Sequence, residues 1–190
     1  MNKLDRRTAV RTMLALGMAC VAAAGPGQWS RAAEVHHDDN LCLAYRARLD
    51  GEYLVIRAAV EPGWHTFAMD NRKRAEEKLA GKKSLGIDHP TEFKLTGGLE
   101  VIGPWHQTPP KDFSKPELRW FSWGFEGNAL FVAKIRRSGP APVRIGVRGQ
   151  ACTDVTCKNI DLGIDLPALG SATASGAAAE IDWKSLVPVR

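Results

Sequence analysis

No stretch of this sequence stays apolar long enough to cross a bilayer. The longest run, Thr12 to Ala24, has 13 residues, where a spanning helix needs about 20. There is no glycine-rich phosphate loop, and no serine or cysteine stands in the context of a hydrolytic nucleophile. The aromatic residues do not interleave with basic ones, so a stacking platform for single-stranded nucleic acid is absent. His65, His89 and His106 are scattered with no ligand spacing. No internal repeat is visible. Cysteine is scarce, four in 190 residues, and this scarcity makes the position of each one informative.

The first residues read as an export signal. Lys3, Arg6, Arg7 and Arg11 form a positive start, the apolar run follows, and small residues at Ser30 and Ala32 fit a cleavage site. The Arg6-Arg7 pair is compatible with the twin-arginine route as well as the general secretory one. Cys20 lies in the apolar run, but Gly17 occupies the position where a lipoprotein signal needs a large aliphatic residue. Residues 1–32 carry five basic side chains and one acid, so +4 of the formal +5 leaves with them. The remaining chain, near +1, gives no electrostatic case for a nucleic-acid partner. Export to the periplasm also permits disulfides. Cys42, Cys152 and Cys157 then remain, one pair and one leftover thiol at most.

The pattern after Asn40 is strand-like. Leu41 to Asp50 alternates, Asp50-Gly51 signals a hairpin, and Tyr53 to Val60 returns before Glu61-Pro62-Gly63. Glu34 to Asn40, with His36-His37-Asp38-Asp39, reads as a loose polar arm. Asp70 to Gly81 is the one helical candidate, capped by Asp70 and ended by Gly81, with a Lys73–Glu77 pair on a solvated face. Further strands are expected at Thr91–Leu95, Leu99–Ile102, Ala129–Arg136, Val143–Gly149 and Ile160–Leu166. Gly103 to Gly124 is rich in proline and aromatics and predicts a long ordered loop over the domain. Short strands separated by turn signals predict an all-β sandwich, with an open barrel as the alternative. The predicted organisation is an export signal at 1–32, a sandwich domain at 33–169 and a flexible Ala/Gly/Ser-rich tail at 170–190, of which Ile181 to Val187 can dock back.

The informative segment is Gly149-Gln150-Ala151-Cys152-Thr153-Asp154-Val155-Thr156-Cys157-Lys158. One strand ends in cysteine, four residues turn, and a second cysteine opens the next strand. A tight turn between antiparallel strands brings two Cα atoms within the ~7 Å that a disulfide requires. Such a bond closes a ring of six residues, worth about 2 kcal/mol in the chain-entropy model against about 4.7 for a ring near 100 residues. That tilts towards reversible chemistry, but spacing alone leaves a redox pair and a static staple both open. Arg148 and Lys158 are placed in sequence to lower a thiol pKa, and Asp154 to oppose them.

This segment resembles the N-terminal periplasmic domain of the thiol:disulfide interchange protein DsbD. Pro62-Gly63-Trp64-His65-Thr66, Pro90-Thr91-Glu92 and Phe125-Glu126-Gly127 resemble family motifs that occur in the same order, and the likeness covers roughly Asn40 to Leu166. The resemblance implies an immunoglobulin-like sandwich with no bound cofactor or metal, in which Cys152 and Cys157 are the catalytic pair. It implies a cap loop within Trp105–Trp123, with Trp120 or Phe121 as shield. It implies an electron relay, reduced by a separate membrane-embedded donor and passing electrons to periplasmic thioredoxin-like acceptors, in the setting of cytochrome c biogenesis. The attacking role of Cys157 rests on the resemblance alone. Where family members often place prolines after the second cysteine, this chain has Lys158-Asn159.

Two other functions compete. One is a sandwich for protein interaction whose disulfide is static. The other is a metal-handling protein using the His36-His37-Asp38-Asp39 arm with the cysteines. Cys42, among alternating strand residues, reads as a small core or edge residue.

Overall fold

The computed structural model describes residues 27–80, 82, 89–166 and 181–190. The basic and apolar parts of the expected export signal, most of the expected tail, and Gly81 lie outside the described residues.

The domain is an immunoglobulin-like β-sandwich with one short helix. The first sheet, A, contains β1 (Ala33–His37), β2 (Asn40–Asp50), β3 (Tyr53–Val60), β9 (Asn128–Arg137), β6 (Leu99–Gln107) and β12 (Val187–Pro188), paired in that order. The second, B, contains β11 (Cys157–Asp165), β10 (Arg144–Cys152), β4 (His65–Phe67), β8 (Trp123–Phe125) and β7 (Lys111–Asp112), with β5 (Glu92–Thr96) also on β10. All the pairings are antiparallel.

Period-2 alternation assigns the faces. Leu54, Ile56 and Ala58 of β3 and Ala129, Phe131 and Ala133 of β9 are fully buried in the interior, where Tyr45, Ile145, Val147 and Ile164 meet them. Phe131 makes edge contacts with both Phe93 and Phe125 at ring separations of 5.0 and 5.4 Å. Each fully buried aromatic or branched side chain of this kind contributes about 1.5–3 kcal/mol relative to exposure.

Several local expectations are corrected. The polar arm is strand β1, since Glu34 to His37 pair with β2 and Val35 is buried. Backbone hydrogen bonding at an edge does not need an apolar pattern. The strand beginning at Leu99 runs on to Gln107, through Gly103-Pro104, because a register irregularity between Val101 and Trp105 absorbs the proline. The predicted loop is therefore shorter. The helix α1 (Asn71–Lys78) is present, but the Asp70 side chain makes no capping bond. Its carboxylate instead accepts from Arg74 Nε, Gln107 Nε2 and the Arg190 backbone N–H. Glu77 pairs with Arg190 at 3.0 Å.

The described residues at either end, 27–32 and 181–190, lie against sheet A, where Trp29, Ile181 and Leu186 pack on its outer face. Residues 27–32, placed by the sequence reading in the export signal, run beside β2: Gly27 N–H donates to Leu49 O and Ser30 N–H to Ala47 O. Trp29, Ile181 and Leu186 pack on the outward Val55 and Val132. Trp183 meets Tyr53 and His106.

Candidate functional site

Cys152 and Cys157 are direct register partners at the end of the β10–β11 hairpin, with Cα atoms 4.0 Å apart, and they form a disulfide. The turn between them is closed locally. Thr153 N–H donates to Thr156 O, and the Thr153 hydroxyl accepts from the Val155 and Thr156 N–H groups. Val155 is left 92% exposed at the tip.

The alternation of β10 locates the bond. Ile145, Val147, Gly149 and Ala151 face the interior, while Arg144, Gly146, Arg148 and Gln150 face out. Cys152 belongs to the outward set and yet is only 2% exposed. Phe67 on neighbouring β4 likewise shares the outward phase with His65 and is 1% exposed. Neither belongs to the main core. A second layer covers them.

That layer is a hairpin. Lys111 pairs with Gly124 and Asp112 with Trp123. The same register continues outward: Phe113 N–H donates to Ser122 O, and Lys115 and Trp120 exchange two backbone hydrogen bonds. A single 3-10 turn, Pro116–Leu118, followed by Arg119 at φ 53°, reverses the chain. Phe113, Lys115, Trp120 and Ser122 therefore fall on one face. With His65, Phe67, Glu126, Cys152, Thr153, Asp154 and Cys157 they line a pocket of about 170 Å³. Phe121 falls on the other face and packs against the main core. The structure thus brings Trp120, Cys152 and Cys157 together and leaves Phe121 out of the pocket.

The base of this hairpin is held by buried polar contacts. Trp123 N–H donates to Asn71 Oδ1 at 2.7 Å, and Thr91 Oγ1 donates to Phe67 O at 2.6 Å. Gly124 is required by close approach, since a Cβ there would lie 2.1 Å from Thr66 O. The Ser122 hydroxyl is buried without a hydrogen-bond partner among the described residues.

Two side chains that the sequence did not associate with the cysteines are central here. His65 is the register partner of Cys152 across β4–β10, and its ring stacks on Phe113 at 5.0 Å and meets the edge of Phe67 at 5.4 Å. Its presence in Pro62-Gly63-Trp64-His65 was visible, but only the sheet order places β4 beside β10. Glu126 accepts from Lys111 Nζ at 2.8 Å, and that bond and charge hold its carboxyl below the usual range.

The flanking charges act differently from the sequence reading. Arg148 pairs with Asp161 at 3.7 Å, four positions along β10 from Cys152. Lys158, in the opposite strand phase from Cys157, acts electrostatically on Cys42. Cys42 is fully buried, and burial pushes its thiol pKa up despite the His37 backbone and Lys158. A raised pKa leaves it protonated and a poor nucleophile. Of the three charges named beside the cysteines, only Asp154 lines the pocket.

Among the described residues no three His, Cys, Asp or Glu side chains converge as a metal set. His36 contacts Glu34 at 3.1 Å, and His37 lies edge-on to Trp64 at 5.8 Å. No described helix is long and apolar enough to cross a membrane.

The chain matches no protein-family model and no curated protein. Among solved structures it is similar to the crystal structure of the Neisseria meningitidis DsbD N-terminal domain in the reduced form. The identity is 12%, the match covers 82% of this chain and 100% of that one, and the TM-score is 0.44.

Proposed function

We propose that this protein is a periplasmic thiol–disulfide exchange module whose working group is the Cys152–Cys157 pair. The observation that carries the reading is the place of the bond. It sits outside the sandwich core, under a separate hairpin, with Cys157 exposed and Cys152 covered. Exchange proceeds by attack of a thiolate on a reachable sulfur. Cys157 is that sulfur, and Cys152 is the group that leaves on reduction or resolves a mixed disulfide on oxidation. Trp120 and Phe113 shield the pair from small thiols, and a partner protein gains access by displacing the hairpin tip.

In this reading a membrane-embedded donor reduces the pair, and thioredoxin-like proteins outside the cytosol receive the electrons. In the same reading the export segment, expected at residues 1–32, is shorter and ends ahead of Gly27; the burial of Ser30, 4% exposed, and the packing of Trp29 on the outer face of sheet A support that boundary.

The test is the reduction potential of the pair, by equilibration in glutathione or dithiothreitol buffers. The expected value lies within about −270 to −120 mV, the range of disulfide oxidoreductases. A value below about −300 mV assigns the bond a structural role and overturns the proposal. Within the expected range, Cys152→Ala leaves Cys157 to trap a partner as a stable mixed disulfide.

A further inference from the structure

The geometry points to His65 as the group that exchanges a proton with Cys152 during thiol–disulfide exchange, and this rests on the function proposed above. Three independent observations converge on it. His65 and Cys152 face each other across β4–β10, and side chains so paired have Cβ atoms about 4.5–5.5 Å apart on the same face of the sheet. Both line the same small pocket, together with Cys157. The ring is held there by the stack on Phe113 and the edge contact with Phe67, so it does not depend on a flexible side chain to find the sulfur.

The chemistry requires such a group at Cys152 rather than at Cys157. A thiolate from a protein dithiol attacks the Sγ of Cys157, the exposed residue of the pair. The Cys152–Cys157 bond breaks, and its electron pair goes to the Sγ of Cys152, a residue only 2% exposed. A thiolate formed away from water is costly unless a positive charge or a proton meets it. The imidazolium of His65 supplies that proton. The partner's second thiol, as its thiolate, then attacks its own sulfur in the mixed disulfide, and Cys157 leaves with the electron pair and takes a proton from solvent. The partner is oxidised to a disulfide and the pair is reduced to two thiols, two electrons and two protons in all. In the reverse direction neutral His65 removes the proton of Cys152 and makes it the resolving thiolate.

The neighbouring charges are compatible with both states. Glu126, from the turn after β8, acts electrostatically on His65 and favours the imidazolium. Lys111 of β7 moderates Glu126 through its hydrogen bond. Lys115 on the hairpin opposes the positive ring and Asp154 on the Cys152–Cys157 turn supports it, both from the lining of the pocket. Histidine changes charge within the working pH range without a large shift.

The test compares the full chain with His65→Gln. In the reduced protein, ultraviolet thiolate absorbance should show Cys152 titrating about one pH unit higher in the variant, equivalent to a tenfold loss of thiolate. The rate constant for reduction by dithiothreitol at neutral pH should fall about threefold to tenfold, following the leaving-group dependence of exchange. A variant that is reduced as fast as the wild type, with an unchanged thiolate titration, overturns the role of His65 and leaves the exchange function standing. A wild-type pair whose equilibrium potential lies below about −300 mV overturns the exchange function itself. If His65→Gln fails to fold, NMR titration of the His65 ring in the wild type decides. Linkage requires the imidazole pKa to be higher in the reduced than in the oxidised protein, and equal values overturn the proposal.

Discussion

Each outer face of the sandwich is covered over part of its area, and the two covers differ in kind. On sheet A, Trp29, Ile181 and Leu186 close over Val55 and Val132, and the C-terminal residues are fixed by strand β12 on β6, by the Asp70 bond to the Arg190 N–H and by the Glu77–Arg190 pair. On sheet B the cover is a hairpin whose base is bonded at Trp123 and whose tip is held by its own Lys115–Trp120 bridge and by ring contacts. The first cover sets apolar side chains directly on Val55 and Val132. The second leaves a pocket of about 170 Å³ over a disulfide. The first cover contributes apolar burial to stability, and in the proposed function the second governs access to the sulfurs.

Mutations can break this contrast one side at a time. The largest effect is expected at Leu186. Leu186→Ala should cost about 2–3 kcal/mol, measured by denaturant unfolding, since a buried leucine is lost from a small cluster. The reduction rate of the disulfide should be unchanged. A change in that rate would show that the two faces are coupled.

Next comes Asp70→Asn, expected to cost about 1.5–2 kcal/mol at neutral pH, from weakened hydrogen bonds to a charged acceptor. Burial pushes the Asp70 carboxyl pKa up, but the hydrogen bonds from Arg74, Gln107 and Arg190 outweigh it, so the folded value is lowered. The charged form is therefore the stabilising one. Its contribution is complete above the unfolded value, about 3.9, and is lost as pH falls through the lower folded value. The melting temperatures of wild type and Asp70→Asn should be parallel from neutral pH down to about 5 and converge below about 4. A gap that persists at acid pH would assign the loss to packing.

The smallest effect on stability, below about 1 kcal/mol, is expected from Trp120→Ala, because Trp120 lies at the pocket and is only half-buried. Its effect on access should be the reverse of that of Leu186→Ala: reduction by dithiothreitol should be several-fold faster. An unchanged rate would show that the hairpin does not shield the sulfurs.

The sheets were legible in the sequence wherever one side of a strand is buried and the other wet. Leu41–Asp50, Tyr53–Val60 and the Cys152–Cys157 hairpin follow alternation and turn chemistry, which are local. Strand β1 was illegible because its pairing uses backbone groups while its side chains are mostly polar. The hairpin over the disulfide carries no strand alternation because both of its faces are partly apolar: Phe113 and Trp120 lie on the pocket side and Phe121 on the core side. That double facing also explains why adjacent residues could not be told apart as shields. His65 and Glu126 were beyond reach for another reason. Their proximity to Cys152 is a product of sheet order, which joins residues 87 and 26 positions apart and leaves no periodic trace. The same holds for Asp70, which local rules assign to helix capping and tertiary contacts divert.

The shortness of the ring closed by Cys152 and Cys157 has a thermodynamic consequence. Folding stability and redox equilibrium form one cycle, so whatever the bond adds to the stability of the fold, the fold returns to the bond as resistance to reduction. A six-residue ring adds about 2 kcal/mol, which lowers the potential of the folded pair by only about 40–50 mV relative to the unfolded chain. A ring near 100 residues, such as Cys42 would close with either partner, would lower it by about 100 mV on the same scale. Placing both cysteines on one tight hairpin keeps the sandwich nearly indifferent to the oxidation state it carries.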